Sequence, residues 1–286
     1  MRAELAARYL RGEGLEIGAF NLPLEMPPGA RVRYVDRMSS EDLRREYPEW
    51  AEQPLPRIAV VDDGEKLGTI APASQDFIVA NHFLEHTEDP IGTIANHLSK
   101  LRPGGVLFYA VPDKRYTFDF RRQLTTIEHM VRDHEEGPER SRREHYDEWS
   151  LLSIEDGEIR ELPEFEQQAL ERARQLEAAN ASIHTHVWTQ ATFLQLVLHC
   201  QEDSEEGFEI EALVQNGIEL VAVLRKRGEW PAPLETATLA TLQDHVAELE
   251  AEVGKREAEL RAVKSSPSWQ LTRPLRVAKE RLSRGR

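Results

Sequence analysis

Cysteine is almost absent: Cys200 is the one such residue in 286. No internal disulfide can form, which fits a reducing cytoplasm and sets aside the disulfide-stapled secreted class. Cys200 sits in an apolar helical pattern and reads as core packing. Long apolar runs are also missing. None approaches the roughly 20 residues that span a bilayer, and the first residues, Met1-Arg2-Ala3-Glu4-Leu5, hold no apolar signal core. Positive charge is not in excess either, because the formal net charge is -15. A general nucleic-acid binder needs a cationic face for phosphates, so no nucleic-acid partner is expected.

What is present is a rhythm of short apolar runs and helical stretches. Strand candidates are Leu15–Ala19, Val32–Asp36, Ile58–Asp62, Phe77–Asn81 and Val106–Val111. Helical stretches fall at Glu41–Tyr47 and Ile91–Leu101, the second with Ile91, Ile94, Ala95 and Leu98 on one face. Such alternation predicts a mostly parallel α/β sheet with right-handed crossovers. The rhythm stops at Asp113, and an insertion (113–188) rich in Arg, Glu and His follows, with a polar helix over Glu164–Ala178. It resumes with a helix over Thr189–His199, Thr189 as its N-cap and Phe193, Leu196 and Val197 inward. Phe208–Val214 and Ile218–Arg225 then read as a hairpin around Gln215-Asn216-Gly217.

A first domain therefore covers 1–227, and a stiff linker, 228–233, contains Trp230-Pro-Ala-Pro. Over 234–264, Leu239, Leu242, Val246, Leu249, Val253, Leu260 and Val263 alternate spacings of three and four, with Arg256 in the missing seam position. This predicts a coiled coil and a homo-oligomer, dimeric or trimeric, against the alternative of one amphipathic helix folded on the body. The basic amphipathic tail, 265–286, is introduced by Lys264. From there to Arg286 lie seven Lys or Arg, one acid (Glu280) and the apolar anchors Trp269, Leu271 and Leu275. It suits the anionic inner face of a cell membrane, and a disordered basic tail is the other reading.

Glycine is scarce where chemistry needs it. Gly18 ends the first strand and Asp36 ends the second. In a parallel sheet this pair holds an adenosyl group, because glycine lets backbone approach the ligand and the acid accepts from ribose hydroxyls. Three further motifs follow in order: Val61-Asp62-Asp63-Gly64-Glu65-Lys66-Leu67, then Asp76–His86 around strand four, then Leu101-Arg102-Pro103-Gly104-Gly105-Val106-Leu107. With these four motifs the chain, over roughly residues 12–225, resembles the class I S-adenosylmethionine-dependent methyltransferases. The resemblance implies a Rossmann-like seven-stranded sheet whose last strand runs antiparallel, and S-adenosylmethionine as cofactor. It implies that Glu16 and Gly18 flank the methionine part and that Asp36 binds the ribose with Arg37 beside the adenine. Asp63 and Gly64 would hold the adenine, and Asn81 and His82 would lie near the sulfonium, with His82 as candidate general base. The departure is the first turn, where Ala19-Phe20-Asn21 stands in place of further glycines.

Histidines invite a metal reading. His82-Phe83-Leu84-Glu85-His86 fits an H-x-x-E-H string, but it follows a strand rather than lying on one helix. The other histidines, His129, His134, His145, His184 and His186, lack tight ligand spacing, so no metal is expected. Asp113, Arg115 and His186 are instead candidate acceptor-binding residues. The tail Ser266-Pro267-Ser268-Trp269 is similar to one found in enzymes of bacterial surface polysaccharides. The resemblance implies O-methylation of a sugar or lipid-linked glycan. Two other readings stand beside it: a non-catalytic scaffold in a polysaccharide-assembly complex, and a nicotinamide enzyme, which the Asp63-Gly64 motif and the missing second and third glycines oppose.

Overall fold

The computed structural model describes residues 1–50, 52–153, 163–204 and 206–228. The expected coiled coil and basic tail lie outside them, as does the linker beyond Gly228. Met1–Trp230 is one compact unit.

Seven strands form one sheet: β1 (Gly12–Ile17), β2 (Ala30–Asp36), β3 (Ile58–Val61), β4 (Gln75–Asn81), β5 (Leu101–Pro112), β6 (Phe208–Asn216) and β7 (Glu219–Lys226). Their spatial order is β3-β2-β1-β4-β5-β7-β6. β1 to β5 pair in parallel, while β7 runs antiparallel to both β5 and β6. This is the expected Rossmann-like sheet with an antiparallel last strand. The order reverses between β1 and β4, and the crevice at their carboxyl ends is where such sheets bind ligands.

Among the described residues, seven helices accompany the sheet: α1 (Arg2–Tyr9), α2 (Ser40–Glu46), α3 (Pro90–Lys100), α4 (Ile127–Glu136), α5 (Arg142–Leu152), α6 (Phe165–Ala178) and α7 (Gln190–Asp203). Period-two alternation divides the strands between two cores. Ile78, Ala80, Leu107 and Tyr109 join Ile94 and Leu98 of α3 and Phe193 and Leu196 of α7. Phe77, Val79, Val106 and Phe108 join Ala6 and Tyr9 of α1, together with Leu24. Cys200 is buried on the first side, as read from its pattern. Thr189 caps α7, and its N–H donates to the Thr192 hydroxyl at 3.0 Å.

Local physics moved several boundaries. β1 begins at Gly12 and stops at Ile17, because Gly18 turns the chain at φ +63°. At Gly14 a Cβ would lie 2.3 Å from the Phe77 carbonyl oxygen, so only glycine lets β1 and β4 approach there. No helix joins β1 to β2, since Pro23, Pro27 and Pro28 remove N–H donors from that connection. Ala95 was expected inward on α3 but is exposed, whereas His97 is buried. α3 is covered on a second side by α4 and α7, which shifts its buried face. In the hairpin Asn216 pairs with Glu219, so the turn is Gly217-Ile218, one residue later than read.

The insertion folds into α4, α5 and α6 with short 3-10 turns. α5 and α6 bury Tyr146, Ala173 and Ile183 together. Arg122 ties the parts of this block to one another. Fully buried, it donates to Asp119 at 3.1 Å, to Glu148 at 2.8 Å, and to the carbonyls of His184 at 2.6 Å and Thr185 at 3.0 Å.

Candidate functional site

The carboxyl ends of the parallel strands open into a cavity of about 1000 Å³. It brings together Gly18 after β1, Asp36 and Arg37 after β2, Asp63 and Gly64 after β3, and His82 after β4. At Gly18 an added Cβ would meet only Phe83, at 3.6 Å. The absent side chain thus leaves open space at the sheet edge rather than relieving a clash. Phe20, in the altered turn, adopts φ +45°. Its ring stands edge-on to Tyr47 at 5.3 Å and to Trp50 at 6.0 Å, and the three line one wall. The bulky turn has become an aromatic rim.

Asp36 lies where β2 ends. Burial raises its pKa, against the opposing hydrogen bonds from the Met38 and Arg37 N–H groups. Arg37 donates to the Tyr47 hydroxyl at 3.0 Å, which holds it along the rim. The two aspartates after β3 divide their work. Asp62 ties the loop, accepting from Thr69 N–H at 2.8 Å and from the Thr69 hydroxyl at 2.6 Å. Asp63 accepts from Glu65 N–H at 2.9 Å and lines the cavity. Gly64 is needed for packing, because a Cβ there would lie 2.7 Å from Ile17 and from Phe83.

Two residues here escaped the sequence reading. His97, fully buried on α3, bonds through Nε2 to the Gly64 carbonyl and through Nδ1 to the Tyr109 hydroxyl, both at 2.7 Å. Burial pushes it down to about 4, so a neutral ring donates from Nε2 and fixes the Asp63-Gly64 turn from below. Glu65 lines the cavity and is pushed up to about 7 by burial and by Asp63, Glu88 and Asp89. A polar residue at an α3 core position was the one available signal for His97. Glu65 had none beyond its place in the motif.

The other expected residues are placed differently. Glu16 is 1% exposed and does not line the cavity. It turns toward the α1 face and accepts from Leu24 N–H at 2.8 Å. Burial pushes it up to about 7, despite that bond and nearby Arg2. The Asn81 side chain is buried at the end of β4, with neither polar atom hydrogen-bonded. Asp113 and Arg115 clasp each other, Arg115 Nη2 donating to Asp113 Oδ2 at 2.6 Å, and neither lines the cavity. His186 is fully buried behind the wall.

His82 takes φ +51° and lies between two carboxylates, with Nε2 2.8 Å from Glu219 Oε2 and Nδ1 3.5 Å from Glu85 Oε1. Burial lowers its pKa, but the bonds to Glu219 and Glu85 prevail and raise it to about 9. At neutral pH it is an imidazolium with no lone pair to accept a proton. His86, four residues on, also lines the cavity. Its Nδ1 lies 2.8 Å from the Ile183 carbonyl oxygen and donates to it, which leaves Nε2 as the acceptor. Burial lowers its pKa, so the ring is neutral at pH 7. Across from it, Arg142 holds Glu88 through two bonds, at 2.5 and 2.7 Å. Tyr146, Ser182 and Thr185 complete this side.

These residues fit an adenosyl cofactor. One half of the cavity offers an open glycine edge, an aromatic rim and the acids Asp36, Asp63 and Glu65. Those acids would favour a sulfonium electrostatically. The other half is polar and comes from the segment after β4 and from the insertion.

A protein family described as a methyltransferase domain matches residues 5–195. No curated protein matches the sequence significantly. Among solved structures, S-adenosylmethionine-dependent methyltransferases from Methanosarcina mazei are similar at 18% identity and a TM-score of 0.41, over 78% of this chain and 96% of that one. One from Aquifex aeolicus is similar at 10% identity and a TM-score of 0.40, over 78% and 85%. The CurJ carbon methyltransferase is similar at 12% identity and a TM-score of 0.39, over 77% of this chain, which spans 49% of that protein.

Proposed function

Because the chain belongs to the methyltransferase-domain family, we propose that this S-adenosylmethionine-dependent methyltransferase O-methylates a sugar or lipid-linked glycan. The observation that carries the reading is the polar acceptor half of the cavity. There His86, Thr87, Glu88, Arg142, Ser182 and Thr185 face the adenosyl half across one space. Carboxylate, guanidinium and hydroxyl groups of this kind bind a polyhydroxylated acceptor through several hydrogen bonds. When bound, the cofactor supplies an electrophilic methyl group. The chain's own work is to align the acceptor oxygen and to remove its proton. His86, neutral with Nε2 as its acceptor, suits proton removal. His82 suits holding the end of β4 through Glu219 and Glu85. In this reading the coiled coil assembles an oligomer and the basic tail brings it to the inner face of the membrane, near a lipid-linked substrate.

Calorimetric titration with S-adenosylmethionine tests the cofactor half. Asp36→Ala should weaken binding about 10-fold or more, a loss of about 1.4 kcal/mol, with the fold intact by circular dichroism. Equal affinity in the variant would remove the ribose role from Asp36. The acceptor half is tested by transfer of labelled methyl to nucleotide sugars and extracted lipid-linked glycans. Label found only on protein or on small non-sugar acceptors would overturn the glycan assignment.

A further inference from the structure

Behind the acceptor wall, four side chains from three segments converge: His129 and Asp133 of α4, His145 of α5, and His186 where the insertion rejoins the core. We propose that these residues form a binding site for one divalent ion of the zinc class, coordinated by His129 Nε2, His145 Nε2, His186 Nδ1 and Asp133 Oδ2.

The three histidines each offer a ring nitrogen within 4.8 Å of the others. His129 Nε2 lies 3.1 Å from His145 Nε2 and 3.0 Å from Asp133 Oδ2, and His145 Nε2 lies 3.7 Å from that same oxygen. Ligands bound tetrahedrally at zinc-to-nitrogen and zinc-to-oxygen lengths stand about 3.3 Å apart, so the edges among His129, His145 and Asp133 are near those of a zinc coordination sphere. His186 stands within 4.8 Å of both histidines, from where binding the ion would draw it in. The rings sit edge to face around a common point: His129–His145 at 85°, His145–His186 at 80° and His129–His186 at 70°.

Hydrogen bonding alone does not satisfy the group. One proton shared between His129 and His145 leaves His186 Nδ1 and Asp133 Oδ2 buried with no hydrogen-bond partner. Asp133 Oδ2 is close to His129 Nε2 but off the line a hydrogen bond requires. Each such buried orphan is destabilising, and a single cation would satisfy every inward lone pair. The outer atoms are already arranged as metal ligands need. His186 Nε2 lies 3.3 Å from the Glu88 carbonyl and donates to it, which leaves Nδ1 unprotonated. The Ser141 hydroxyl donates to Asp133 Oδ1 at 2.8 Å. Such partners fix ring tautomer and carboxylate orientation. Three imidazoles and one carboxylate suit zinc, and four ligands leave no open position, so the role is structural. The ion would join α4, α5 and the 182–188 segment, and His145 itself lines the cavity.

A second cluster, Glu85 with His86 and His184, is a weaker claimant. His184 Nδ1 already bonds Asp119 Oδ2 at 2.6 Å and His86 Nδ1 bonds the Ile183 carbonyl.

The test is Co²⁺ titration of the chelator-treated full chain, followed by displacement with Zn²⁺. One equivalent per chain, with the intense visible bands of tetrahedral Co²⁺, is expected. His129→Gln and Asp133→Asn should each weaken binding about 100-fold, while His184→Gln leaves it unchanged. Circular dichroism of each variant separates lost ligation from lost fold, and Asp133→Asn, nearly isosteric, serves if His129→Gln unfolds. Four results overturn the site: no stoichiometric binding at micromolar Co²⁺, weak octahedral-type bands, binding that survives both variants, or binding abolished by His184→Gln.

Discussion

At the scale of single residues, the electrostatics separate structural from chemical roles. Glu16 is buried with one backbone bond and its carboxyl sits near 7 instead of the ordinary 4.5. The native state therefore binds its proton more tightly than the unfolded chain does. Stability falls as pH rises from about 4.5 through 7 and levels off above. Glu16→Gln keeps the acceptor for Leu24 and removes the charge. It should raise the unfolding free energy by about 1–3 kcal/mol at pH 8 and leave it unchanged near pH 4, measured by urea denaturation at both pH values. His86 gives the kinetic counterpart. With its pKa held below the ordinary value by burial, the acid limb of kcat/KM should fall below about pH 6.5. His86→Gln should abolish that limb and cost about 100-fold or more in rate. His82→Gln should keep the limb; if it removes it instead, the base is His82. Much of the cofactor half was readable from sequence, because Gly18, Asp36, Asp63 and Gly64 sit at strand ends whose positions apolar runs reveal. The His129, His145 and His186 cluster was not, since its members lie 16 and 41 positions apart and meet only through the folded insertion.

At the scale of elements, the sheet was legible and its coverings were less so. Strands β1 to β5 show as apolar runs ended by Gly, Asp, Asn or Pro. α1 has eight residues, too few to be stable alone, and owes its helix to Ala6 and Tyr9 packing on the sheet. α4 and α5 are polar on most sides, because they bury few apolar groups and are tied by ions. Around α5, Arg122 is the center of that tie, buried and with partners at Asp119, Glu148 and two carbonyls. Removing one member of such a buried group strands its partners. Arg122→Met should therefore cost about 3–5 kcal/mol, seen as a lower urea midpoint. Because Thr185 lines the cavity on the side proposed to take the acceptor, methyl transfer should drop more than affinity for S-adenosylmethionine. Equal losses in both would mean that the insertion does not shape the acceptor side separately.

At the scale of the whole molecule, the body is a compact unit, Met1–Trp230, expected to fold without the C-terminal region. Among the described residues, both cores and the cavity lining come from before Gly228. The remainder carries a different physical program. Seven basic residues and one acid between Lys264 and Arg286 stand against a chain whose net charge is -15. Each Lys or Arg near an anionic surface contributes about 1 kcal/mol, and salt screens it within about 10 Å. The heptad seam of 234–264 would multiply that attraction by presenting several tails from one oligomer. A chain cut after Gly228 should thus keep its S-adenosylmethionine affinity within about twofold, sediment as a monomer, and no longer pellet with anionic vesicles. A chain cut after Lys264 should remain oligomeric but lose the vesicles. The intact protein should release from them as salt is raised. Oligomers formed by the 1–228 chain would move the assembly surface onto the body, and vesicle binding by the chain cut after Lys264 would remove the anchor from the tail.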